Sequence, residues 1–266
     1  MARTYFETNG PSNSVAHSDV LHTPLAGWAW AFLRRNADYR RDYLQWLSGD
    51  KKPKNIAERW GLLAFADPEL DAIASNVFWS PHLLLGALRV SFEPLKPPRF
   101  SKADTGSRIV LSRLNCHMRT LETENGSHHI RLGGDTFWIQ LYCPSPPAQV
   151  DQAQLVVSLA DFTNGHRVLD TAAHLFALHR ARGRSLPVQS RAKQALRLSR
   201  MLRVHYICSA GGTYRDAAVA LYGAEKVVAE WGASGRCSRD QIRRLFRRSA
   251  YYIGGGYRDL LQKKSV

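Results

Sequence analysis

The sequence predicts an α+β chain: an N-terminal helix plus a β-rich part, then a small antiparallel sheet with a five-helix, helix-turn-helix-like bundle. Three observations carry this reading. Apolar and aromatic residues recur at three- and four-residue spacing from Leu25 to Leu47. The period falls toward two between Leu85 and Leu159, with glycine turns between the runs. Helical spacing returns from Thr163 to Ile253, cut into pieces by glycines.

Residues 1–22 are polar and irregular, with Asn9-Gly10-Pro11, and read as a mobile leader. Thr23 offers an N-cap and Pro24 a first helical position, where the missing N–H costs nothing. Leu25, Trp28, Phe32, Asn36, Tyr39, Tyr43 and Trp46 then line one face of a helix of about 24 residues, which Gly49 ends. That aromatic face is assigned to the core in preference to a base-stacking platform. Leu85–Phe92, Arg108–Leu114, Met118–Glu122, His128–Leu132, Thr136–Cys143 and Gln154–Leu159 read as strands, with hairpin turns at Asn125-Gly126 and Gly133-Gly134-Asp135. Thr163–Arg182, Ser190–Ser209, Thr213–Tyr222, Ala224–Trp231 and Ser238–Ile253 read as the helices, and Gly254-Gly255-Gly256 as a helix stop and chain reversal. A domain boundary is placed within Glu122–Ser127, giving an N-terminal domain over 23–122 and a basic C-terminal domain over 127–266.

Of 266 residues, 37 are Lys or Arg and 22 are Asp or Glu, a net charge of +15 with a pI near 10.0. Residues 1–150 carry a net of +3 and residues 151–266 a net of +12, the pattern of a near-neutral half joined to a polyanion-binding half. With 44% hydrophobic and 10% aromatic residues, the composition is that of a folded protein rather than a disordered basic tail. Apolar runs such as Leu83 to Leu88 are far shorter than the roughly 20 residues that span a bilayer, so no membrane partner is expected. The first fifteen residues lack the apolar core of a secretory signal, and the expected location is the cytoplasm. Cys116, Cys143, Cys208 and Cys237 form no C-x-x-C pair and read as reduced thiols.

The segment from Gly211 to Trp231 carries the most chemistry. A short helix, a glycine break at Gly223 and a second short helix reproduce helix-turn-helix geometry, although an ordinary αα-corner has the same pattern. In the next helix, Ile242, Leu245, Phe246, Ala250 and Ile253 form an apolar stripe. Arg239, Arg243 and Arg247 recur every four residues elsewhere, beside Arg244 and Arg248 and preceded by Arg236. Like charges at that spacing repel, and Asp240 is the one carboxylate available to them. A polyanion relieves the repulsion with counterion release, and arginine reads guanine edges bidentately. A second basic tract, Arg180, Arg182, Arg184, Arg191, Lys193, Arg197, Arg200 and Arg203, has no intervening acid and suits phosphate contacts. The predicted partner is double-stranded DNA, contacted by Arg236, Arg239, Arg243, Arg244, Arg247 and Arg248. Thr213, Tyr214 and Arg215 are expected to meet the backbone at a helix N-terminus, with Lys226 nearby. Ala224–Trp231 holds Glu225 and Glu230 with only Lys226, so either the arginine helix reads the groove or the motif is a variant.

No catalytic residue, cofactor or metal site is assigned. His128 and His129 adjoin on a strand and point to opposite faces; His174 and His179 lie five apart, off the spacing zinc prefers. No G-x-S-x-G, Walker A or G-x-G-x-x-G motif is present. Two rival readings stay open: a protein–protein regulator of antiactivator type whose basic domain binds an acidic protein, and a nucleic-acid enzyme, against which the lack of an acidic cluster weighs.

Trp28-Ala-Trp-Ala-Phe-Leu-Arg-Arg-Asn36 with Asp38-Tyr-Arg-Arg-Asp-Tyr43 resembles the signature of proteobacterial transcriptional-regulator-like proteins. Thr213-Tyr-Arg-Asp-Ala, Ala220-Leu-Tyr-Gly-Ala-Glu-Lys226 and Gly255-Gly-Tyr-Arg-Asp-Leu-Leu261 resemble a helix-turn-helix-variant partner domain. Together they are similar to FseA-type excision activators of rhizobial integrative and conjugative elements. That resemblance implies a DNA-binding activator of an excision-factor promoter, opposed by a small antiactivator of the same domain type. The N-terminal aromatic helix is then expected to hold an interaction surface for a partner or RNA polymerase. It says nothing of residues 82–126, which match no motif.

Overall fold

In the computed structural model the described residues are 23–49, 56–94, 109–111, 114, 116–133, 136–144, 153–158, 165–181, 192–231 and 239–262. They divide into two units, one built from residues 24–187 with 251–266 and one from 188–250.

The larger unit begins with α1 (Leu25–Leu33) and α2 (Ala37–Leu47). The sequence reads this stretch as one helix, but the structure breaks it at Arg34–Asn36. Asn36 is the reason: its Oδ1 accepts from the Asp38 and Tyr39 backbone N–H groups at 2.9 and 3.0 Å, capping a new helix. At the start, Pro24 occupies the capping position expected for Thr23, and its carbonyl accepts from the Trp28 N–H. Trp28, Phe32 and Tyr39 are buried as anticipated, and Trp30, outside the expected face, is buried as well; Leu44, Trp46 and Leu47 at the end of α2 stay exposed at 64%, 52% and 57%. A short α3 (Ile56–Arg59) follows, and Trp60 packs edge-on against Tyr39.

β1 (Leu88–Pro94), β2 (His117–Glu122), β3 (His128–Gly133), β4 (Trp138–Cys143) and β5 (Ala153–Ser158) form one sheet in the order β2-β3-β4-β1-β5. The β1–β4 pair is parallel and the others antiparallel, so the sheet is mixed and includes β1 rather than a separate antiparallel set. The segment Glu122–Ser127, expected as a domain boundary, is the hairpin turn between β2 and β3, with Gly126 at φ +76°. Of the strand expected over Arg108–Leu114, the described residues lie outside the sheet. Val110, Leu111 and Leu114 are nonetheless buried, so their apolar pattern serves the core from a loop. The Gly134-Asp135 turn lies outside the described residues.

The register Leu88↔Leu141↔Ile130 puts one apolar row across three strands, and α4 (Gly165–Ala181) closes that core with Leu175 and Leu178. The opposite face carries buried polar groups that hold the 60–80 loop. Gln140 bonds both the N–H and the C=O of Trp79. Arg131 donates to the carbonyls of Ala72 and Ile73 and stacks over Trp138, and burial pushes its guanidinium down to about 10. In the same unit, a π-helical turn (Tyr252–Gly256) and a final helix (Arg258–Gln262) pack on α1. Tyr252 meets Phe32, the Tyr257 hydroxyl donates to the Trp60 carbonyl at 2.8 Å, and Asn36 Nδ2 donates to the Ile253 carbonyl at 2.8 Å. The N-terminal string and the Gly255–Leu261 string therefore share a core. Gly254–Gly256 forms the π turn, with Gly255 at φ +135°, and not a plain helix stop.

Candidate nucleic-acid interface

The smaller unit is helical. α5 (Ala192–Ser209) buries Ala195, Leu198, Met201 and Val204 on one stripe. Gly211, at φ +90°, reverses the chain, and Gly212 lies so close to α5 that a Cβ there would sit 2.7 Å from the Ile207 side chain and 2.9 Å from its carbonyl oxygen. α6 (Tyr214–Tyr222) starts on a complete capping box. Asp216 N–H donates to Thr213 Oγ1 at 3.2 Å, and the Thr213 N–H and hydroxyl donate back to the Asp216 carboxylate at 2.8 and 2.7 Å. Those bonds from Thr213 hold the Asp216 carboxyl below its ordinary range. Gly223, at φ +87°, ends α6 and starts α7 (Ala224–Glu230), whose Val227 is buried. The helix–glycine–helix unit read from the sequence is therefore present.

α8 (Arg239–Tyr251) packs against α5 and α6 through aromatic contacts. Phe246 stacks on His205 with centroids 5.8 Å apart and meets Tyr214 at 6.0 Å. Ile242, Leu245 and Ser249 are buried on the same side. At about 100° per residue, Arg239, Arg243, Arg247, Arg244 and Arg248 then spread over the opposite half of the helix, and all five are exposed. Arg243 Nη2 lies 3.0 Å from Asp240 Oδ1. Among the described residues no carboxylate pairs with Arg239, Arg244 or Arg247.

The other predicted contact residues are placed as follows. Arg215 and Lys226 are exposed on α6 and α7. Thr213 is committed to its capping box, and Tyr214 is half-buried against Phe246. Arg236 lies outside the described residues. On α5, Lys193, Arg197 and Arg203 are exposed, and Arg200 sits over the Tyr222 ring at 5.7 Å. Sequence reading missed the role of Phe246 as the wedge between two helices, and the Asp240–Arg243 pair. Thr-x-x-Asp at 213–216 is the signal by which the capping box could have been found.

Elsewhere, no group of metal-ligating side chains converges among the described residues, and none of their helices is long and apolar enough to cross a membrane. His128 is half-buried beside Glu122, while His129 is buried against Tyr142 and pushed down to about 4 by that burial.

Residues 156–262 match the family model described as T6SS, transcription factor, DNA binding domain. Residues 12–63 match the model of the proteobacterial transcriptional regulator-like domain. No curated protein matches the chain. The first match takes in the whole of α5 to α8, and the second covers α1, α2 and α3. A regulator-like domain and a DNA-binding domain on one chain mark it as a DNA-binding transcriptional regulator.

Proposed function

We propose that the protein is a sequence-specific transcription activator that reads duplex DNA with α8. The observation that carries this is the division of α8 into two halves. One is anchored by Ile242, Leu245, Phe246 and Ser249, and the other presents five arginines to solvent. A helix of that width fits the major groove, where arginine pairs bidentately with guanine. α7 is a poorer reader: its exposed Glu225 offsets its one cation, Lys226, whereas the five exposed arginines of α8 outnumber Asp240. Arg215, Lys226 and the exposed cations of α5 supply phosphate contacts, while Thr213 and Tyr214 act by fixing α6.

The test is a gel shift across a salt series with a chosen promoter duplex and with unrelated DNA. Arg243→Ala with Arg247→Ala should weaken binding at least about tenfold and lower the salt slope by roughly 0.9 for each phosphate no longer neutralised. Binding that ignores both sequence and the double substitution would refute the proposal and favour the rival reading, in which the basic unit binds an acidic protein.

The finer role follows from the resemblance of the two signature strings. The target is a promoter for an excision factor of an integrative and conjugative element, in the cytoplasm. RNA polymerase and a small antiactivator are the protein partners. The exposed Leu44, Trp46 and Leu47 of α2 support a protein contact there. A reporter fused to the element's excision promoter should lose activation on Leu44→Ser with Leu47→Ser while DNA binding persists.

A further inference from the structure

We infer that Arg243 is the guanine-reading residue of α8 and that Asp240 is its positioning residue. The inference rests on the DNA-reading role of α8 proposed above. Five arginines share the exposed half of the helix, but Asp240 holds one of them, through a 3.0 Å contact from Arg243 Nη2 to Asp240 Oδ1 across one helical turn. Both side chains are open to solvent, so as a surface ion pair the contact adds little stability. Its geometric effect is larger. A guanidinium is a planar fork, and a carboxylate on one Nη narrows the orientations that plane takes. The remaining edge keeps two parallel N–H groups free, the pattern that guanine O6 and N7 accept.

The position of the carboxylate supports the same conclusion. Every other exposed charge on the outward half of α8 is positive, and a lone acid there is repelled by the phosphates that its neighbours attract. Asp240 also lies in the first turn, where a negative charge favours the helix dipole. That benefit explains an acid in the turn but not its contact with Arg243. An unheld arginine keeps its rotamer freedom and makes a point-charge contact with phosphate, the role assigned to Arg239 and Arg247 on either side.

The experiment selects a preferred duplex from a randomised library with the full-length protein, then replaces each preferred guanine in turn by 7-deazaguanine, which lacks N7. The native protein should lose about tenfold in affinity at one position, and Arg243→Ala should bind both duplexes alike. Asp240→Ala should lose the same discrimination, while its affinity for unrelated duplex stays equal or rises because a repulsive charge is gone. Asp240→Asn, whose amide oxygen still accepts from Arg243, should recover part of the discrimination. Circular dichroism confirms that each variant keeps its helices. Asp240→Ala retaining full discrimination would overturn the inference, as would a uniform loss of affinity for all duplexes with a loss of helicity. Failure of the native protein to bind duplex or select a sequence would instead remove the reading on which the inference rests.

Discussion

Asn36 bonds in two directions, and the two can be separated by substitution. Its Oδ1 caps α2 through Asp38 and Tyr39, and its Nδ2 donates to the Ile253 carbonyl 217 residues away, in a site only 9% exposed. Losing the cap costs about 0.5–2 kcal/mol. Withdrawing a donor from a buried carbonyl costs about 1–3 kcal/mol. Asn36→Ala should therefore destabilise the unit by roughly 2–4 kcal/mol, a fall of roughly 5–10 °C in Tm. Asn36→Asp is the informative variant. It keeps the cap oxygens and adds a negative charge at a helix N-terminus, worth about 0.3–1 kcal/mol. It also sets a carboxylate oxygen against a carbonyl oxygen. If the contact with Ile253 matters, Asn36→Asp should lose about 2 kcal/mol in urea unfolding, and Asn36→Ser should fall between it and the native protein. An Asn36→Asp variant as stable as the native chain would refute the reasoning and leave Asn36 as a helix cap alone.

Other substitutions test the remaining supports. Gly212→Ala puts a methyl group 2.9 Å from a backbone carbonyl that cannot rotate away; it should cost about 1–3 kcal/mol and weaken duplex binding together with stability, whereas a silent variant would show that α5 and α6 can part freely. Tyr257→Phe removes the donor to the Trp60 carbonyl and should lower stability by about 1 kcal/mol in urea with the near-ultraviolet spectrum preserved. His129, held near 4 by burial, is neutral in the fold and binds a proton more readily when unfolded. Its contribution is complete above its ordinary value of 6.5 and falls away on acidification toward pH 4, by up to about 3 kcal/mol. His129→Phe should flatten that part of the stability–pH curve, and an unchanged slope would remove His129 as its source.

Much of the fold was legible because local patterns agreed with it. The helices over Thr163–Ile253 and five of the six expected strands correspond within a few residues to observed elements, since periodicity and glycine breaks act locally. Legibility failed where side chains act over distance. The break at Asn36 looked like a continuing apolar rhythm, since Trp28, Phe32, Asn36, Tyr39 and Tyr43 keep three- and four-residue spacing across it. Val110, Leu111 and Leu114 read as a strand because burial alone produces an apolar run, with or without ladder hydrogen bonds. Parallel pairing of β1 with β4, and the joint core of the two terminal strings, depend on contacts between residues 50 to more than 200 positions apart.

The arginines of α8 were visible in the sequence as a set of like charges, but not which of them differ. Spacing places Arg239, Arg243 and Arg247 on one line and Arg244 and Arg248 on another, and it cannot rank them. The ranking comes from neighbours: Phe246 between His205 and Tyr214 fixes which half of the helix faces outward, and Asp240 lies against the guanidinium of Arg243. The same contacts argue against α7 as the reader, although it is the nominal second helix of the motif. α7 is seven residues long and buries Val227 alone. α8 is thirteen residues long and is held by three buried residues and an aromatic stack. Reading a base edge to within hydrogen-bond distance requires a helix that does not move when charge is placed on it. By that criterion the proposed base contact falls to α8, which α6 supports through Tyr214 against Phe246.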